Sequence, residues 1–206
     1  MSDIFYSYGG NAYANLTNKC CCSCSFCVRN SANNPITSSN LWLIEEPSIE
    51  KALRALDEFE PQRYNELVFC GYGEPTYAFD TMIAVAEYAR KRYNLKLRLN
   101  TNGLGNIINK KDIVPEIAKY TDAVSISLNA SNSENYNRLC NPIFEGAYEE
   151  ILDFAKKCHS LMADVTLTAV SVIGTEEIEK SKRVAEALGI NFNVRDFIKG
   201  EDDVSY

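Results

Sequence analysis

About six short β-rich runs alternate along this chain with longer amphipathic stretches, and that alternation restricts the fold more than any other feature. The opening "IFYSYGGNAYANLT" predicts a hairpin around Gly9-Gly10-Asn11, feeding a first strand that leads to a cysteine run. Further strands are expected in "ELVFCGYG" (66–73), "LKLRLNTNG" (95–103), "DAVSISLNA" (122–130), "DVTLTAVSVIG" (164–174) and "NFNVRDFI" (191–198). A polar loop, "RNSANNPITSSN" (29–40), precedes a helix over 48–59, in which Ile49, Ala52, Leu53, Leu56 and Phe59 recur at helical spacing. Other helices are expected over 80–93, 112–119, 133–139, 147–161 and 175–188, the last ended by Gly189. Repeated β-then-α units make parallel strands joined by helical crossovers. A closed eight-unit barrel takes about 250 residues, more than the 206 present. The expected fold is therefore α/β: an open, six-stranded partial (βα)6 barrel with an N-terminal hairpin, one domain over 1–206. Ligands in parallel α/β folds sit at the C-terminal ends of the strands. The polar or Gly-containing tips at 20–27, 71–75, 100–103, 127–130, 173–174 and 195 are thus expected to share one mouth.

Composition narrows the function. Apolar residues make up 46% of the chain, an ordinary globular fraction, while 21 Lys and Arg against 28 Asp and Glu give a net charge of −7. Bulk binding to nucleic acid or an anionic membrane needs a basic face, so neither is expected. No stretch approaches the ~18 apolar residues of a membrane span. The start, "MSDIFYSYGG", has neither a basic nor an apolar leader region, so a cytoplasmic protein is expected. There thiols stay reduced, and clustered cysteines point to metal binding or catalysis rather than disulfides.

Five of the eight cysteines crowd into "NKCCCSCSFC", at 20, 21, 22, 24 and 27. Cys24-x-x-Cys27 alone fits a zinc knuckle, an iron–sulfur ligand pair or a redox dithiol, and Cys21-x-x-Cys24 is a second available pair. A structural zinc site wants four ligands, usually as two pairs. The other cysteines (Cys70, Cys140, Cys158) are scattered, and the single histidine, His159, falls on a helix. Cys20-x-x-x-Cys24-x-x-Cys27, with Phe26 before the last cysteine, offers a different arrangement. Three thiolates on one loop can bind three irons of a [4Fe–4S] cube. Four cysteines normally hold such a cluster, so three leave one iron open, as catalytic metal sites do.

The strand tips extend the pattern: "CGYGEPT" (70–76), "LNTNG" (99–103), "SISLNA" (125–130), "SVIGTEE" (171–177) and Arg195 in "NVRDF". Together with the cysteine spacing, these resemble the radical S-adenosylmethionine (SAM) enzymes, over residues 15–197. The combination is most similar to a small subgroup associated with TatD-type nucleases. The resemblance implies Cys20, Cys24 and Cys27 as cluster ligands and SAM chelating the open iron. It makes Phe26 a neighbour of the adenine. The Gly71–Tyr72–Gly73–Glu74 segment would meet the SAM amino group, with glycines that permit close backbone approach and a carboxylate for an ammonium. Asn100 would reach the ribose, and Ser127 the carboxylate or ribose, with Ser125 on the same strand face. Asn129 would face the substrate space. Ile173 would pack near the adenine, and Arg195 would face SAM or an anionic substrate group.

That resemblance implies reductive cleavage of SAM to a 5′-deoxyadenosyl radical, which abstracts hydrogen from a substrate. It also implies oxygen sensitivity and an external one-electron donor of the flavodoxin or ferredoxin type. The substrate, small molecule or macromolecule, is not specified by the motifs. Cys21 and Cys22 depart from the residues usual between the first two ligands. Either one as a fourth ligand would close the cube and make an electron-transfer or sensor protein without SAM turnover. A zinc-binding module is the third reading.

Overall fold

The computed structural model describes residues 3–30 and 40–197. Residues 31–39 of the expected polar loop lie outside the described residues. The hairpin forms where the Gly-Gly-Asn turn places it. β1 (Phe5–Tyr8) and β2 (Asn11–Ala14) pair antiparallel, with Tyr8 opposite Asn11. Gly9 and Gly10 take φ of 54° and 82°, a region that a side chain disfavours. From β3 onward each strand runs parallel to the one before it. β3 (Glu66–Phe69), β4 (Lys96–Thr101), β5 (Ala123–Ser127), β6 (Asp164–Val170) and β7 (Asn191–Arg195) follow in sequence order. The result is a seven-stranded sheet with β1 and β7 at its edges. It is an α/β fold with six parallel strands, not closed into a barrel, carrying the N-terminal hairpin.

The crossovers are α1 (Ile49–Phe59), α2 (Phe79–Tyr93), α3 (Gly105–Asn109), α4 (Val114–Tyr120), α5 (Ser133–Cys140), α6 (Ala147–Leu161) and α7 (Thr175–Ala187). Ser48 caps α1 by accepting the Lys51 N–H at 3.2 Å. Gly189, at φ 69°, follows the end of α7. The helix expected over 112–119 forms as α4, with Pro115 in its first turn, and a short helix not expected from the sequence, α3, precedes it and ends where Lys110 turns the chain left-handed. Among the described residues no helix is long and apolar enough to cross a membrane.

Alternation along the strands separates two faces. On the helix side, paired neighbours are apolar: Leu67 meets Leu97, Leu99 meets Val124, and Ile126 meets Leu167, all nearly fully buried. Each contributes about 1.5–3 kcal/mol by burial. The other face is polar, with Arg98, Asn100, Ser125, Ser127 and Thr168 in succession across β4, β5 and β6. Strands end earlier than the apolar runs suggested. β2 stops at Ala14, β3 at Phe69 and β6 at Val170, after which Ser171–Ile173 form a single 3-10 turn. The residues freed from the ladder build the mouth.

Candidate functional site

The cysteine loop leaves β2 through Asn15, Leu16 and Thr17, all buried. The turn after β3 lies flush against this connection. A Cβ on Gly71 would stand 2.2 Å from Asn15 Oδ1, and one on Gly73 would stand 2.3 Å from the Thr17 carbonyl oxygen. Both glycines are therefore required by close approach to the loop. Asn15 locks the contact: its Oδ1 accepts the Tyr72 N–H at 3.1 Å and its Nδ2 donates to the Leu41 carbonyl at 2.7 Å. The Glu74 N–H donates to the Lys19 carbonyl at 2.8 Å.

A second strap holds the loop from the other side. The Ser23 N–H donates to the Cys140 carbonyl and the Ser25 N–H to the Leu139 carbonyl, each at 3.0 Å, while the Ile143 N–H returns to the Cys21 carbonyl at 2.9 Å. The last turn of α5 thus carries the middle of the cysteine run.

Held this way, Cys20, Cys24 and Cys27 line one cavity of about 290 Å³. Cys22 and Cys140 line it too, and Cys21 is buried behind it. The thiols touch one another. Bonding to the Cys140 thiol, followed by burial, pushes Cys24 well above the ordinary thiol range. Bonds from the Cys20 and Cys21 thiols hold Cys22 down. Asn102 adds a donor to the cluster of sulfurs, its Nδ2 lying 3.2 Å from Cys21 Sγ. The Tyr136 hydroxyl lies 3.6 Å from Cys22 Sγ. Soft thiol donors from one loop, on the wall of one cavity, fit an iron–sulfur cluster, in which each ligand binds a different iron. Among the described residues no three His, Cys, Asp or Glu groups gather as a single-ion site.

Of the residues expected around SAM, the structure brings Phe26, Gly71, Ser127 and Arg195 to this cavity. Gly73, Glu74, Asn100 and Ile173 do not line it. Glu74 is 4% exposed, and both carboxylate oxygens are occupied within the protein. Oε1 accepts from the Thr76 N–H (3.2 Å), the Thr76 hydroxyl (2.8 Å) and the Thr101 hydroxyl (2.7 Å), and Oε2 accepts the Asn102 N–H at 2.7 Å. Burial pushes this carboxyl up, and those hydrogen bonds oppose the shift. Glu74 ties the tip of β3 to the tip of β4. Asn100 points instead into a second cavity on the inner face of the sheet. Ile173 sits in the 3-10 turn, and Val170, the last residue of β6, lines the first cavity in its place.

Asn129 lines the mouth, at φ 55°. Asn102 and Tyr136 were not singled out by the sequence reading. Asn102 follows directly on the β4 tip, so its position was the available signal; nothing in the sequence marks Tyr136. His159 is exposed on α6.

A family model described as the radical SAM superfamily matches residues 14–188. The chain belongs to the radical SAM superfamily. Members of this family are enzymes that bind a [4Fe–4S] cluster and SAM. Solved structures similar to the chain include a radical SAM methyltransferase from Sphaerobacter thermophilus, at 15% identity and TM-score 0.60, covering 93% of this chain and 68% of that one. Streptococcus suis SuiB bound to precursor peptide SuiA matches at 20% identity and TM-score 0.66, over 91% of this chain and 41% of SuiB. The protein anSMEcpe with bound AdoMet matches at 16% identity and TM-score 0.63, over 94% and 53%. At these identities the likeness is one of fold. The chain spans 68% of the methyltransferase and about half or less of the other two. No curated protein sequence matches the chain.

Proposed function

We propose that this protein is a radical SAM enzyme whose cluster is held by Cys20, Cys24 and Cys27, with SAM in the cavity of about 290 Å³ beside them. One observation carries the reading: Cys20, Cys24 and Cys27, with Cys22 from the same loop, share that cavity with residues from the tips of β3, β5 and β7. Bound together, cluster and SAM supply a 5′-deoxyadenosyl radical by one-electron reductive cleavage. The chain's own residues position and enclose. Phe26 and Val170 give an apolar wall for the adenine, Gly71 presents backbone, and Ser127 offers a hydroxyl. Gly73, Glu74 and Asn102 hold the tips of β3 and β4 against the loop. A flavodoxin- or ferredoxin-type donor supplies the electron, a single domain over residues 1–206 carries the chemistry, and the protein works in the cytoplasm. The combination of "NLTNKC", "CGYGEPT" and "SISLNA" supports membership of the TatD-associated subgroup.

A second reading rests on Cys22, which lines the same cavity in contact with both Cys20 and Cys24. As a fourth ligand it would close the cluster and leave an electron-transfer or sensor protein. Anaerobic reconstitution separates the two. Cys20→Ala, Cys24→Ala and Cys27→Ala are expected to lose iron and sulfide, and Cys21→Ala and Cys22→Ala to retain both. Dithionite reduction with SAM is expected to yield 5′-deoxyadenosine. Cluster loss in Cys22→Ala, with a paramagnetic resonance spectrum indifferent to SAM, would favour the closed cluster.

A further inference from the structure

The inner face of the sheet holds a cavity of about 360 Å³, and Arg195 lines both it and the cysteine cavity. Its charges do not balance. Arg98 pairs with Glu66 at 2.6 Å and Lys96 with Asp164 at 3.8 Å. Arg195 forms no ion pair among the described residues. Its one side-chain hydrogen bond goes to Ser127 Oγ at 3.1 Å, and its Nε is buried without a partner. A buried guanidinium cannot shed its charge to escape the cost of burial. Burial does push its pKa down, with only nearby thiols opposing. On the same cavity wall Asn100 Oδ1 and Arg98 Nε are also buried without a partner. Arg98 already has Glu66 as its counter-charge, so the two unmet demands differ: Arg195 asks for an anion, Asn100 Oδ1 for a hydrogen-bond donor.

We propose that this cavity takes a small hydroxy- or amino-carboxylic acid substrate, its carboxylate on Arg195 and its hydroxyl or amino hydrogen on Asn100 Oδ1. The assignment rests on the radical SAM reading. A substrate anchored at Arg195 lies at the junction of the two cavities. The volume suits a small molecule, and the remaining wall of Ser125, Thr166 and Thr168 is polar.

The test uses the anaerobically reconstituted protein saturated with SAM, with glycolate, glycine and acetate as probes followed by ligand-observed NMR. Glycolate or glycine is expected to bind more tightly than acetate, which has no hydrogen for Asn100. Arg195→Gln is expected to weaken glycolate, glycine and acetate tenfold or more, in titrations with and without SAM, and to weaken SAM by a smaller factor. Asn100→Ala is expected to erase the preference over acetate. Should Arg195→Gln not fold, Arg195→Lys, which keeps the charge without the planar fork, is expected to weaken binding by a smaller factor. Three results would overturn the proposal: no glycolate or glycine binding to the wild type, binding indifferent to Arg195, or a tenfold loss of SAM affinity in Arg195→Gln. The last would assign Arg195 to the SAM carboxylate. Failure of SAM cleavage alone would count against the enzyme reading and not this one, since the titration is repeated without SAM and reads Arg195 directly.

Discussion

Glu74 shows how a single buried carboxylate can hold two strand tips together. Each of its oxygens receives a backbone N–H, from Thr76 on Oε1 and from Asn102 on Oε2. A backbone N–H cannot turn round to accept, so an amide in this place must point its own NH2 at one of them. Glu74→Gln is therefore expected to cost about 1–3 kcal/mol, the penalty of a buried donor left unmade. Chemical denaturation of the cluster-loaded protein measures it. A midpoint unchanged from wild type would show that the junction repacks. The carboxylate's place in a Gly-rich turn was legible in the sequence, but its partners were not. Thr101 ends the next strand and Asn102 follows it, and only parallel pairing in this register brings them to Glu74. The cysteine run was legible because it is local, but its spacing alone left several pairings open, and the later strand tips were needed to favour Cys20, Cys24 and Cys27 as the proposed ligands.

Among the elements, α5 has the largest influence on the cysteine loop. Its last turn provides carbonyls to Ser23 and Ser25, and the segment after it donates from Ile143 to Cys21. Loop and helix end are thereby one mechanical unit. Filling the loop with a cluster is expected to slow amide hydrogen exchange at Ser23, Ser25 and Ile143 together, read by mass spectrometry of the loaded and cluster-free protein. Protection of the loop with no change at Ile143 would show the strap to be slack. Periodicity predicted α6 over residues 147–161 and places α5 within a residue at each end. It could not foresee that α5 docks on residues 21–25, because an eight-residue helix with two buried side chains carries little pattern. The early strand ends have a similar cause. The apolar run of β6 continues to Ile173, and only the bend at Ser171 takes it out of the sheet.

For the whole molecule, SAM binding and stability are linked, since a ligand of the folded state alone stabilises by mass action. SAM at one hundred times its dissociation constant is expected to add about 2.7 kcal/mol to unfolding of the loaded wild type. The gain is expected to vanish in Cys24→Ala. Thermal denaturation with and without SAM measures both, and an equal gain in the two proteins would place SAM away from the cysteines. The architecture as a whole was readable from the β-then-α alternation, which leaves a chain of this length few ways to cover both sides of a parallel sheet. The inner cavity was not readable: Arg98, Asn100, Ser125 and Arg195 come from three strands and acquire a common surface only through their register.

The strap between the cysteine loop and α5 also sets an order of assembly. Ser25 and Leu139 lie 114 residues apart, and at a synthesis rate of about 5–20 residues per second the thiols emerge many seconds before the carbonyls that fix them. The nascent cysteines therefore pass through an interval without backbone partners, while β5 and α5 are still unmade. A cluster inserted only once that strap has formed would meet a chain already folded through its fifth strand.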